Sequence, residues 1–172
     1  MKLLDTSSII LFVDFIGKHK CIDHLNALNE NLNVSKSVHD EYYQNTNYWI
    51  DNNLLKQYID NEKIKIIKKD VSDEITELSK RYPVLNEGEL SIMVIALLCQ
   101  KNSKNYICVI DDKKARTIAK RLKLNFIGSI GLIKIIKDNN IWNDETMDII
   151  ISDIKKSPFY VSDNILMVLK ND

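Results

Sequence analysis

The sequence predicts an α/β fold: a three-layer α/β/α sandwich around a central, mostly parallel sheet of about five strands. Three observations predict it. Short apolar runs of strand length alternate with amphipathic stretches of helical length, and parallel neighbours need such crossovers between them. Only four Gly and two Pro occur in 172 residues, too few for the turns of an all-β design. A composition 45 % hydrophobic and 28 % charged suits a globular unit able to bury its core without disulfides.

The elements follow in order. Lys2–Asp5 (KLLD) is the first strand, and Asp5 through Ser8 suit the start of a helix over Thr6–Gly17, which Gly17 ends. Cys21–Asn29 forms a second helix with Ile22, Leu25 and Leu28 on one face. Leu32–Ser35 is the second strand, and Ser37 caps a helix through Gln44, with Asp40 at capping-box spacing. Tyr48–Asn61 is helical, its apolar positions being Trp49, Leu54, Leu55, Tyr58 and Ile59. Ile64–Lys68 is the third strand; the helix over Ser72–Arg81 is stopped by Pro83. Asn86–Gln100 carries Glu89 three residues after Asn86 and is almost wholly apolar beyond Leu90, so it belongs to the interior. Tyr106–Ile110 is a buried strand ending at Asp111-Asp112, and Lys113–Leu122 is helical. Leu124–Ile127 is the last strand, followed by Gly128, Ser129 and a helix through Lys137. Helices over Asp144–Lys156 and Asp163–Lys170 flank Pro158.

Charge and cysteine usage narrow the function. Twenty-four Lys+Arg balance twenty-four Asp+Glu, which excludes a chain held on nucleic acid by bulk positive charge and leaves room for a local basic stripe. The three Cys, without Cys-x-x-Cys spacing, read as free thiols of a reducing compartment, and the three scattered His form no metal-ligand pattern. Asp5 and Asp14 interrupt the apolar N-terminus, and the longest apolar run, Ile92–Cys99, is far short of the roughly 20 residues a membrane span needs. A cytoplasmic protein without membrane association is expected.

In a parallel sheet, chemistry sits at the carboxyl ends of the strands. Asp5 and the Asp111-Asp112 pair close two strands at that edge, and Glu41 and Glu89 lie near helix starts. Each acid has a structural explanation as a helix cap or a first-turn charge. Together they also form a cluster of like charges that a divalent cation would satisfy, Mg²⁺ or Mn²⁺ given the hard oxygen donors. Spacing alone leaves both readings open.

Five segments carry a resemblance: KLLDTSSII, VSKSVHDEY, LNEGELSIMVIAL, ICVIDDKKARTIA and FIGSIGLI. In this order and at these intervals the chain resembles PIN-domain proteins over most of its length. The resemblance implies a PIN-like sandwich over 1–140, a C-terminal helical extension over 141–172, and metal-dependent hydrolysis of RNA. The most similar subgroup includes toxins of bacterial toxin–antitoxin pairs. Carried over by position, Asp5 matches the first acid, Glu41 the second and Glu89 the third, where many relatives have Asp. The fourth falls on Asp111 or Asp112, with Asp112 the favoured inner-shell group. Asp5, Glu89, Asp111 and Asp112 are thus implied metal ligands, and Thr6 or Ser7 matches the hydroxyl that supports the first acid. Such a protein would need RNA as substrate and, if toxin-like, a cognate antitoxin or other protein inhibitor; a homodimer is also implied. The inhibitor is expected on an apolar groove near the helices of residues 8–30 and 45–60.

Residues 113–123 (KKARTIAKRLK) carry six basic side chains and no acid. Ala115, Ile118, Ala119 and Leu122 take the buried helix face, leaving Lys113, Lys114, Lys120 and Lys123 with Arg116 for phosphates. Arg116, four residues after Asp112, is alternatively its salt-bridge partner. Gly88 either serves a turn or admits a close approach to Glu89. Tyr42, Tyr43, Tyr48 and Trp49 suit base stacking or core contacts. Two competing functions remain: a PIN-like module that binds without cutting, and a phosphohydrolase using Asp5 as nucleophile. Against the latter, Ser7 stands where such enzymes need a second Asp.

Overall fold

The computed structural model describes residues 1–44, 52–159 and 161–170. Its five strands are β1 (Lys2–Leu4), β2 (Leu32–Ser35), β3 (Ile64–Ile67), β4 (Ile107–Val109) and β5 (Phe126–Ile127). They form one sheet in the order β3-β2-β1-β4-β5, every neighbouring pair parallel. Lys2 is in register with Leu32 on one side and Ile107 on the other, so β1 is central. Leu3 and Leu4 are wholly buried, as a strand covered on both faces requires. The chain winds outward from β1 to β3, then returns to place β4 on the other side of β1. That reversal opens a crevice at the carboxyl ends of β1 and β4.

Helices α1 (Thr6–Ile10), α2 (Cys21–Ala27), α3 (Lys36–Gln44), α4 (Asn52–Asp60), α5 (Ser72–Arg81), α6 (Glu87–Lys101), α7 (Lys113–Arg121), α8 (Ser129–Asp138), α9 (Asp144–Lys156) and α10 (Asp163–Met167) complete the three-layer α/β/α sandwich. The most apolar of them, α6, packs across β2, β1 and β4. Its start is a full capping box: Asn86 accepts from Glu89 N at 2.7 Å, and the Glu89 carboxylate accepts from Asn86 N at 3.0 Å. On α9, Met147, Ile150, Ile151 and Ile154 enter the same hydrophobic core. No described helix is long and apolar enough to cross a membrane. All three cysteines are buried free thiols.

Several expectations are corrected. The helix expected over Thr6–Gly17 changes to π-helical bonding at Leu11–Phe15, with Ile16 N donating to Leu11 O at 3.0 Å. It is followed by a 3₁₀ turn, and Lys20, in the left-handed region at φ 56°, leads into α2. The α3 cap is Ser35, whose Oγ accepts from Val38 N at 3.0 Å; Ser37 Oγ donates instead to Glu87 at 3.0 Å. Glu41 therefore sits in the second turn of α3, not at its start. Around the expected partner site Ile9, Leu11, Phe12, Ile22, Leu25 and Leu55 are fully buried, and its residues 45–51 lie outside the described residues. Tyr42 is core too, its hydroxyl donating to Asp14 at 2.8 Å and its ring edge-on to Tyr43. Tyr48 and Trp49 lie outside the described residues.

Candidate active site

The residues that leave the carboxyl ends of β1 and β4 do two jobs. Asp5 caps α1, accepting from Ser8 N at 2.7 Å, and Asp112 caps α7, accepting from Lys114 N at 2.7 Å and Ala115 N at 2.8 Å. Capping anchors each carboxylate at the crevice while satisfying helix N–H groups. The structural and functional readings of these acids are therefore compatible.

Asp5, Thr6, Ser7, Asn86, Glu89 and Asp112 line one cleft of about 280 Å³. Among the described residues no basic side chain lines it. The other two expected acids flank it. Glu41 accepts from Thr6 Oγ1 at 2.6 Å, so Thr6 supports the second acid and not the first. Gly88 makes room for this pair: a Cβ there would lie 2.3 Å from Glu41 Oε2 and 3.2 Å from Thr6 Oγ1. What needs the glycine is thus Glu41, not an approach to Glu89.

Asp111 turns away from the cleft into a hydroxyl network. It accepts from Ser129 N at 2.9 Å and from Ser129 Oγ at 2.5 Å. Ser129 Oγ also reaches Ser8 Oγ at 2.9 Å, and Ser8 Oγ donates to Asp5. Two adjacent serine hydroxyls therefore bridge the space between the first and fourth acids. Of the double acid, Asp112 is the one that lines the cleft. Arg116 pairs with Asp111, at 3.5 Å, and not with Asp112; its Nε donates to Ile110 O at 2.7 Å. Gly128 is needed here for space, since a Cβ would fall 2.0 Å from the Arg116 guanidinium. Arg116→Ala would leave a mostly buried carboxylate without its ion pair and a carbonyl without its donor. We expect a loss of about 1–3 kcal/mol, measured by urea denaturation.

The electrostatics report a shortage of positive charge. Burial, then the neighbouring Asp111, pushes the Asp5 carboxyl up to about 7. Burial also raises Glu89, with Asp112 and Glu41 adding to it, and raises Asp111 against the pull of Ser129 and Arg116. Each carboxylate is turned to its own donor, and among the described residues no three His, Cys, Asp or Glu side chains converge as a ready-made metal-binding group.

On α7, Ala115, Ile118 and Ala119 are buried, while Lys113, Lys114 and Lys120 are exposed, as is Lys123 just beyond the helix. None of these four lysines is ion-paired among the described residues, whereas Arg116 is withdrawn from the stripe by Asp111. Ser8, Ser129 and Gly128 were not anticipated as site residues. Their signals were the second serine of Asp-Thr-Ser-Ser and the Gly-Ser after the last strand, but which hydroxyl meets which acid depends on the fold.

A family model described as DUF3368: PIN domain matches residues 1–171, and so extends through α9 and α10. No curated protein and no solved structure matches significantly. The parallel sheet, the acids at its carboxyl edge and a family match over nearly the whole length place the chain in the PIN-domain family, whose members are generally nucleases that usually use divalent metal ions.

Proposed function

We propose that the protein is a metal-dependent endoribonuclease that hydrolyses RNA phosphodiester bonds, a toxin-like PIN protein whose activity a cognate antitoxin or other protein inhibitor restrains. A homodimer and a cytoplasmic location belong to the same reading. The observation that carries it is Asp5: a buried carboxylate at the crevice, sharing with Glu89 and Asp112 a cleft that no basic side chain among the described residues lines.

This donor set fits Mg²⁺ or Mn²⁺. It consists of hard oxygens and contains no His or Cys; burial and neighbouring carboxylates push Asp5 and Glu89 toward protonation, and burial does the same to Asp111 behind them. Asp5, Glu89 and Asp112 would hold the ion, with Asp111 and Glu41 behind them. A divalent cation supplies a water acidified toward neutrality and charge stabilisation on the phosphoryl oxygens. The chain's own part is orientation. Ser8 aims Asp5, Thr6 aims Glu41, the Asn86 backbone holds Glu89, and the start of α7 holds Asp112. The exposed Lys113, Lys114, Lys120 and Lys123 attract the polyanion toward the cleft.

Ser8→Ala removes a donor from Asp5 and breaks the link to Ser129. We expect a folded protein that needs roughly 10–100-fold more Mn²⁺ for half-maximal cleavage, by analogy with outer-shell losses at other metal sites. The primary test is cleavage of a mixed RNA pool with Mn²⁺, Mg²⁺ or EDTA. Metal-dependent cutting supports the reading; a folded, metal-supplied protein that cuts none of the RNA points to a binding module.

A further inference from the structure

We propose that a second cavity, over the carboxyl ends of β2 and β3, seats the nucleotide adjacent to the scissile phosphodiester of a single-stranded RNA. This rests on the nuclease reading above and adds where the strand runs. The cavity encloses about 670 Å³, and Lys36, Lys68, Lys69, Ser37, Ser72 and Thr76 are among its lining residues. Lys36 directly follows β2; Lys68 and Lys69 directly follow β3. All three lysines are exposed and none is ion-paired among the described residues.

The acids on the same wall are each engaged locally. Asp70 accepts from Ser72 N and Oγ, Glu87 from Ser37, and Asp40 contacts His39. Asp70 also feels the charge of Lys36, so Lys68 and Lys69 are the charges left for a ligand. The hydroxyls suit ribose and phosphate oxygens, and Leu90 and Ile95 on α6 give part of the wall an apolar character. The first turns of α6 separate this cavity from the acidic cleft: Asn86 and Glu89 face the cleft, Glu87 and Leu90 the cavity.

Sheet order sets the path. From β3 through β2 and β1 to β4, the carboxyl edge presents the lysine cavity, the acidic cleft and then Lys113 and Lys114 at the start of α7. Neighbouring strands lie about 5 Å apart, so cavity and cleft are within reach of adjacent nucleotides. A recess accepts an unstacked base, which a single strand offers and a duplex does not.

The test uses full-length Asp5→Asn protein, so that RNA is not consumed, and a labelled single-stranded RNA about ten nucleotides long. Fluorescence anisotropy compares it with the same protein carrying K36Q, K68Q and K69Q. We expect Kd to weaken on the order of tenfold at 0.1 M salt, with a salt slope shallower by about 2. The pair K101Q and K104Q, far from this edge in the chain's topology, should change neither. In Asp5→Asn protein alone, RNA should also protect Lys68 and Lys69, but not Lys104, from amine acylation read by mass spectrometry. Unchanged affinity and slope, or fully reactive Lys68 and Lys69 at saturating RNA, overturns the proposal. Wild-type cleavage is scored separately: protection without cleavage retains the subsite and removes the nuclease, and cleavage without protection does the reverse.

Discussion

Asp5→Asn should abolish metal-dependent RNA cleavage, by at least about a thousandfold, while making the metal-free protein more stable at neutral pH. The two effects share one cause. Asp5 is 5 % exposed, and burial together with Asp111 lifts its carboxyl from 3.8 to about 7. Below about pH 4 both folded and unfolded chains carry the proton, so Asp5 costs nothing. Between about pH 4 and 7 the folded chain keeps a proton that the unfolded chain has lost, so stability falls as pH rises and levels off above about 7. The full penalty amounts to a few kcal/mol. Asparagine is nearly the same size and its amide oxygen still caps Ser8 N, so the helix start survives. We expect the melting temperature of EDTA-treated Asp5→Asn to exceed wild type by roughly 5–10 °C at pH 7.5, with the two converging near pH 4. Mn²⁺ should raise the wild type and leave the variant nearly unmoved. A variant that melts below wild type at pH 7.5 would show that the buried carboxylate is a structural asset rather than a stored charge awaiting a cation.

Gly88→Ala should separate activity from folding. The added methyl meets the end of Glu41 at 2.3 Å, Thr6 Oγ1 at 3.2 Å and Val38 at 3.3 Å. Glu41 is the partner able to swing, so the clash is relieved by breaking its 2.6 Å bond to Thr6 and moving the second acid. Alanine is meanwhile better than glycine inside a helix by about 1 kcal/mol, which offsets the crowding. The expected outcome is a melting temperature within a few degrees of wild type and cleavage reduced at least about tenfold. Unimpaired cleavage would mean that the position of Glu41 does not matter to the reaction.

Patterning determined the elements because it reports local geometry. The alternation of buried strands and helices, the Asn86–Glu89 capping box and the span of α5 are legible residue by residue, since each depends on neighbours within one turn. The π-helical stretch at Leu11–Phe15 was not legible: nothing in LFVDF distinguishes it from α-helix. The same holds at the site. That acids occupy the carboxyl edge follows from strand ends alone. That Thr6 serves Glu41, 35 positions away, and that the Ser8 hydroxyl meets Ser129, 121 positions away, depends on segments the fold brings together.

The sequence by itself determined the α/β class, the five strands, the candidate acids and the family resemblance, because periodicity, capping chemistry and motif order are one-dimensional. Only the tertiary structure decided the partners of those acids, the direction in which each member of the Asp111-Asp112 pair turns, and the lysine cavity beside the cleft. Hydrogen bonds and desolvation depend on distances of a few ångströms between segments, and only the winding of β1 between β2 and β4 sets those distances.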